Sequence, residues 1–323
     1  MDSLAALLRE LDVSADSRML VFSKTSFQAT KVSPENPREI FFSDDVAVGY
    51  VPGGSGIEIA ALDPRQGTIF YTLSRAGELR RSTVCLECHQ GPATLGVPGI
   101  FIGSVLPNAL GQSARERAII TDHRMPVGDR WGGWFVSGAQ GGLRGRANAV
   151  SSNPDTPDVL DQRIASPGNS DMVALMTFEH QTTIANMLTR LGWEARISRV
   201  SDDEIGDAAR YMLFTDEVPL TEPVVDSMKA GVSKFTGTFP LRGPRDRRGR
   251  SLRDFDLKTR LFRYPLSYMI YSAAFDSLPV EVRDRLYRRL HDGLRRSPEQ
   301  TAILEIVADT KTNLPAWWRS QCP

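Results

Sequence analysis

A chain of 323 residues with 41% hydrophobic and 24% charged side chains can bury one large core or two ordinary ones, which excludes a disordered or fibrous protein. Lysine plus arginine and aspartate plus glutamate each total 39, so the formal net charge is zero and nothing points to a nucleic-acid partner. The three cysteines, Cys85, Cys88 and Cys322, are too few for a disulfide framework, and no apolar run approaches the roughly 18 residues of a membrane span.

The chain opens on an acidic amphipathic stretch, residues 1–10, without the basic and apolar regions of a secretory signal. Short β-branched and aromatic runs follow at 19–22, 40–42, 46–51, 57–62 and 68–73. The turn signals at 52–56 and 63–67 predict antiparallel hairpins rather than βαβ units. A cysteine motif comes next, then a Gly/Pro-rich loop at 91–99 and two more short runs at 100–106 and 131–136. Residues 151–169 carry three prolines and little that is apolar, and read as a linker or surface loop.

Beyond that loop the period changes to that of helices. Ser170-Asp171 supplies a cap, and Val173, Met176, His180, Ile184, Met187 and Leu191 recur at spacings of three and four, with Gly192 expected to end the helix. A second helix opens at Ser201 and runs through Met212, and further helices are predicted at 265–275, 279–294 and 298–308. The expected class is α+β, with a β-rich region at 1–150 and a mainly helical region at 170–323. Six arginines at 242–253 read as a solvated turn, the alternative being a docking patch for an acidic partner. His291 lies among charged residues and reads as solvated, and Cys322 as an incidental free thiol.

Cys85-Leu86-Glu87-Cys88-His89 is a C-x-x-C-H motif, the attachment signature of haem c. Two thiols one helical turn apart can reach the two vinyl groups on one porphyrin edge, and the adjacent histidine offers its imidazole to the iron. Composition alone would produce this pattern on the order of 10⁻⁴ to 10⁻³ times in such a chain. Three readings compete with it. A zinc site would need a fourth ligand and a better geometry than adjacent Cys-His provides. A thioredoxin-like C-x-x-C would need a βαβ context, and the third reading is a purely structural pair of thiols.

With that motif, several segments resemble a group of exported bacterial cytochrome c-domain proteins. They are residues 20–28, Cys85 to Gly91, Thr121-Asp122-His123-Arg124, Arg130-Trp131-Gly132-Gly133-Trp134 and Phe178-Glu179-His180-Gln181. The resemblance spans most of the chain. It implies one covalent haem c and a periplasmic or extracellular location, but no particular reaction. Two departures stand out. Members tend to carry a secretion signal and more residues before the segment at Leu20, and a histidine-containing stretch where this chain has Gly138 to Asn148 without one. The clash between the motif and the leaderless start leads us to expect an exported native protein whose signal precedes the given N-terminus.

The sixth iron position separates carriers from enzymes. His180, in the middle of an apolar helical stripe, is the first candidate ligand, and the core-residue reading stands beside it. His123, in a polar turn, is a candidate ligand, a distal acid–base group or a partner of Asp122. Met125, Met172 and Met176 stay open as well. Arg130, Trp131 and Trp134 suit the propionate edge of a haem, or else form a tight turn with two core tryptophans. The 91–99 loop is expected to supply a carbonyl, that of Pro92 for instance, to the free N–H of His89. The helical region is expected to pack on the haem. Electron transfer with a redox partner protein is the first functional expectation. The alternatives are a peroxidase-like haem enzyme with an open distal site and a ligand-sensing or assembly protein.

Overall fold

The computed structural model describes residues 2–113, 118–137, 143, 145–152, 160–198, 200–224, 228–295 and 297–319. A short helix α1 (Asp2–Glu10) precedes the predicted strands, which form as β1 (Met19–Val21), β2 (Arg38–Phe42), β3 (Val46–Tyr50), β4 (Gly56–Asp63) and β5 (Gly67–Ser74); β6 (Leu79–Arg81), which no run in the sequence marked, follows them. Each is antiparallel to the next; short turns join β2 through β6, and the longer segment 22–37 joins β1 to β2. The one-turn helix α2 (Leu86–His89) carries the motif, and β7 (Ile102–Ser104) pairs with β8 (Ile119–Thr121) in a separate hairpin. β9 (Trp134–Phe135) joins β1, so the main sheet runs β6-β5-β4-β3-β2-β1-β9. A last small pair is β10 (Ala149–Val150) with β11 (Gln162–Arg163).

Strand alternation gives the sheet two apolar faces. Phe41, Val48, Ile57 and Ile59 point to one side and are covered by Leu8 and Val13. Ile40, Phe42, Ala60 and Leu62 point to the other and pack into the large core built around α3 (Met172–Ile197). That core draws Met19 and Val21 from the strand half together with Phe178, Leu188, Tyr211 and Leu286 from the helical half. The α+β expectation holds.

Asp171 caps α3, accepting from the backbone of Val173 at 2.7 Å and Ala174 at 3.0 Å. The helix runs through Gly192 instead of stopping there. One interior glycine costs only about 1 kcal/mol, and the packing of Leu188 and Leu191 outweighs it. α4 (Asp202–Met212) opens at Ser201 as predicted, with a capping box between Ser201 and Glu204. After α5 (Phe235–Thr238), the helix expected at 265–275 is broken into a 3-10 turn, Tyr268–Tyr271, and α6 (Ala273–Asp276). The hydroxyls of Ser267 and Ser272 accept from Met269 and Phe275 backbone N–H groups, each starting a new cap. α7 (Val280–Leu294), α8 (Gln300–Thr310) and α9 (Ala316–Arg319) complete the fold.

Several surface expectations are resolved here. Of residues 151–169, those described form a loop fastened to the body by β11 and by Ser137 hydroxyl on the Gly168 carbonyl. All six arginines at 242–253 have carboxylate partners within the chain: Asp12, Asp254, Asp309, Glu305, Asp246 and Asp44 in sequence order of the arginines. His291 is buried against Trp317 and Trp318, which corrects the solvated reading, because α9 folds back over α7. Cys322 lies outside the described residues.

Candidate functional site

The motif sits where β6 ends. Ser82 N–H binds the Phe70 carbonyl at 2.8 Å, and the chain then closes one helical turn, with His89 N–H on the Cys85 carbonyl at 2.9 Å. Cys85 and Cys88 are both free thiols; Cys85 is half-buried, 3.4 Å from the Ser82 hydroxyl, and Cys88 is exposed. At about 100° per residue, Cys85, Cys88 and His89 share one face of this turn, and Leu86 lies a quarter turn away.

His89 is held by its ring. Nδ1 lies 2.9 Å from the Gly99 carbonyl, which can only accept, so Nδ1 carries the hydrogen and Nε2 the lone pair. Among the described residues nothing bonds Nε2. Phe70 and Phe101 flank the imidazole, with ring centroids 4.9 and 5.4 Å away, and burial lowers its pKa, keeping it neutral. The expected loop carbonyl is therefore that of Gly99; the Pro92 carbonyl closes a local turn with Leu95.

The 91–99 loop is fixed from three sides. Thr94 hydroxyl binds the Val97 carbonyl at 2.7 Å, Thr68 N–H of β5 binds the Pro98 carbonyl at 2.8 Å, and Arg190 of α3 binds the Leu95 carbonyl at 2.9 Å. Asn186 of α3 anchors the next residue, Ile100, at 2.8 Å. The imidazole thus rests on elements from both halves of the chain.

The other two sequence-selected histidines meet each other instead. His123 Nδ1 lies 3.1 Å from His180 Nδ1, and His180 Nε2 lies 2.7 Å from the Ser267 hydroxyl. Both rings are buried and stacked among Tyr211 and Phe214. Ser267 Oγ already accepts from Met269 N–H, so the assignment that satisfies it has the hydroxyl donating to His180 Nε2. His180 Nδ1–H then donates to His123 Nδ1, and His123 Nε2–H is left without a partner. Burial holds both imidazoles well below their ordinary pKa; Arg124 and Arg130 push His123 further down, and His123 does the same to His180.

Arg130 is buried and faces inward. Its guanidinium donates to the His123 carbonyl at 2.8 Å and the Met125 carbonyl at 2.7 Å, and pairs with Glu179 of α3 at 3.3 Å. Burial raises the Glu179 pKa and Arg130 opposes that shift; the Thr121 and Trp131 side chains also oppose it, although neither closes a normal hydrogen bond to Oε1. Trp131 and Trp134 are core residues, and the Trp134 indole donates to the Gly103 carbonyl at 2.9 Å. Between them a Cβ on Gly132 would stand 1.9 Å from the Val105 carbonyl oxygen, and Gly133 takes φ +84°. The segment is a tight turn with two core tryptophans.

Among the described residues, no hydrogen bond, ion pair or ring contact joins His89 to His123, His180, Arg130, Trp131 or Trp134. Sequence reasoning missed Phe70, Phe101, Gly99 and Asn186 around His89, and Ser267 and Tyr211 around the pair. The strand period at 68–73 marked Phe70 as a packing residue, but nothing local told which ring it would meet. An open cleft of about 380 Å³ flanks the motif on the Leu86 side, between Arg65, Gln66, Arg81 and Trp193. Comparison with family models, with curated proteins and with solved structures finds no match to this chain.

Proposed function

We propose that this chain is a covalent haem c protein acting in one-electron transfer. The observation that carries the reading is the state of the motif. Two free thiols and a neutral imidazole share one face of a single turn, with Nδ1 tied to a carbonyl and the Nε2 lone pair unengaged. Cys85 and Cys88 would hold the porphyrin through thioethers, and His89 Nε2 would ligate the iron. The Gly99 carbonyl fixes the tautomer and strengthens the imidazole as a donor. When bound, the group supplies a ferric–ferrous couple that takes up or releases one electron. Exposure of Cys88 at the attachment edge suits exchange with a redox partner protein, and attachment of this kind implies export to the periplasm or beyond.

A second reading draws on a specific observation. Both nitrogens of His180 are engaged within the core, so this packing disfavours His180 as the sixth ligand and leaves that position to His123, whose Nε2 has no partner among the described residues, to a methionine or to an exchangeable ligand. An exchangeable ligand would favour the peroxidase-like or ligand-sensing alternative, and binding of carbon monoxide to the reduced protein separates the two.

Protein produced in an exporting host with haem attachment machinery is expected to keep its haem absorption in the protein fraction after acid–acetone extraction. His89→Ala should keep the absorption but lose the imidazole signature in electron paramagnetic resonance. A wild-type protein that releases all of its haem to the organic phase would sink the reading.

A further inference from the structure

The carbonyl that fixes the His89 tautomer belongs to a glycine, the residue whose backbone turns most easily. Three further bonds take that freedom away. Gly99 N–H donates to the His89 carbonyl at 2.9 Å, so the two residues are bonded in both directions. The carbonyl before it, that of Pro98, accepts from Thr68 N–H of β5 at 2.8 Å. The carbonyl after it, that of Ile100, accepts from the Asn186 amide of α3, also at 2.8 Å.

Asn186 does more than hold Ile100. A Cβ on Gly99 would stand 2.0 Å from Asn186 Oδ1 and 2.7 Å from its Cγ, so the buried amide lies against the bare Cα of the glycine. The two residues fit only as a pair. Resting on the haem c reading, we propose that Asn186 is a positioning residue for the iron ligand: it holds the Gly99 carbonyl on His89 Nδ1 and so sets how strongly His89 donates to the iron.

Planar peptide units leave Gly99 only two soft dihedrals. With the Pro98 and Ile100 carbonyls pinned to different elements and the amide pressed on its Cα, both dihedrals are set. The Gly99 carbonyl then keeps its aim at Nδ1. A well-aligned acceptor there makes Nε2 the stronger donor, which favours the more positive, ferric state of the iron. The helical half of the chain thereby reaches the imidazole through one side chain.

Asn186→Leu keeps the volume and removes the amide. In the exported protein it should raise the ferrous-to-ferric ratio at a fixed potential by about three- to tenfold, because a looser carbonyl weakens the donor. In the haem-free chain, nitrogen NMR shifts of the His89 ring should move from the Nδ1–H tautomer towards the Nε2–H form. Gly99→Ala, which drives the amide off from the other side, should move both readings the same way. Thr182→Val is the control: it lies one turn earlier on α3 and bonds the Glu179 carbonyl of its own helix at 3.2 Å. It should match wild type in both readings. An Asn186→Leu protein with the wild-type ratio and tautomer, or a Thr182→Val protein that shifts as far, overturns the proposal. A wild type without covalent haem overturns the haem c reading, and the tautomer measurement still decides whether Asn186 positions His89.

Discussion

Arg130→Ala is expected to lower the unfolding free energy by about 3–5 kcal/mol, most of the margin of an ordinary domain. Arg130 and Glu179 have side chains only 3% and 1% exposed. Removing the guanidinium strands a carboxylate in the core, and Glu179 must then take up a proton or draw in water. The loss does not stop at the ion pair. The same guanidinium bonds the carbonyls of His123 and Met125, and so fastens the 122–130 turn to α3. Glu179→Gln should cost less, because an amide oxygen still accepts from Arg130 and the carbonyl bonds remain. Urea titrations of both variants against wild type check the order; an Arg130→Ala protein within 1 kcal/mol of wild type would contradict it.

Acid should weaken the fold through the histidine pair. Both imidazoles are held neutral, well below their ordinary pKa, first of all by burial. The unfolded chain binds their protons from about pH 6.5 downward, while the folded chain does not. Stability contributed by the neutral pair is therefore intact above pH 6.5 and lost as pH falls, by up to about 1.4 kcal/mol per unit for each ring. Glu217 works in the opposite sense. Burial pushes its pKa up to about 7, so the folded state gains relative stability as pH drops from 7 towards 4.5. Glu179, also raised, adds to that opposition. Glu217→Gln keeps the acceptor that holds Leu261 N–H at 3.1 Å and removes the titration. The variant should lose stability more steeply than wild type between pH 6.5 and 5, and His180→Gln in the same background should flatten the slope. A Glu217→Gln protein whose stability stays level across that window would refute the neutral buried pair.

The regular parts of this molecule were legible because their signals are local. Alternation located six of the seven strands of the main sheet, and Asp171 and Ser201 marked two helix starts to the residue. What failed locally was decided by packing or by competing caps, at Gly192 and at Ser267 and Ser272. The motif at 85–89 announced its own turn and its tautomer-fixing carbonyl, but not which carbonyl. The partners of His180 were illegible for a physical reason: an imidazole on an apolar stripe needs some partner, and only the tertiary contact shows that Ser267 and His123 supply it. The same holds for Arg130, whose carboxylate lies on α3 almost fifty residues away in sequence.

The most direct test of the central claim is the intact mass of the exported protein and of its Cys85→Ala/Cys88→Ala variant, measured after denaturation. Two thioethers predict a wild-type mass equal to the polypeptide plus one haem, a single-cysteine variant that attaches less, and a double variant at the bare polypeptide mass. A wild type at the bare mass, or a double variant that still carries haem, would contradict the assignment of these residues.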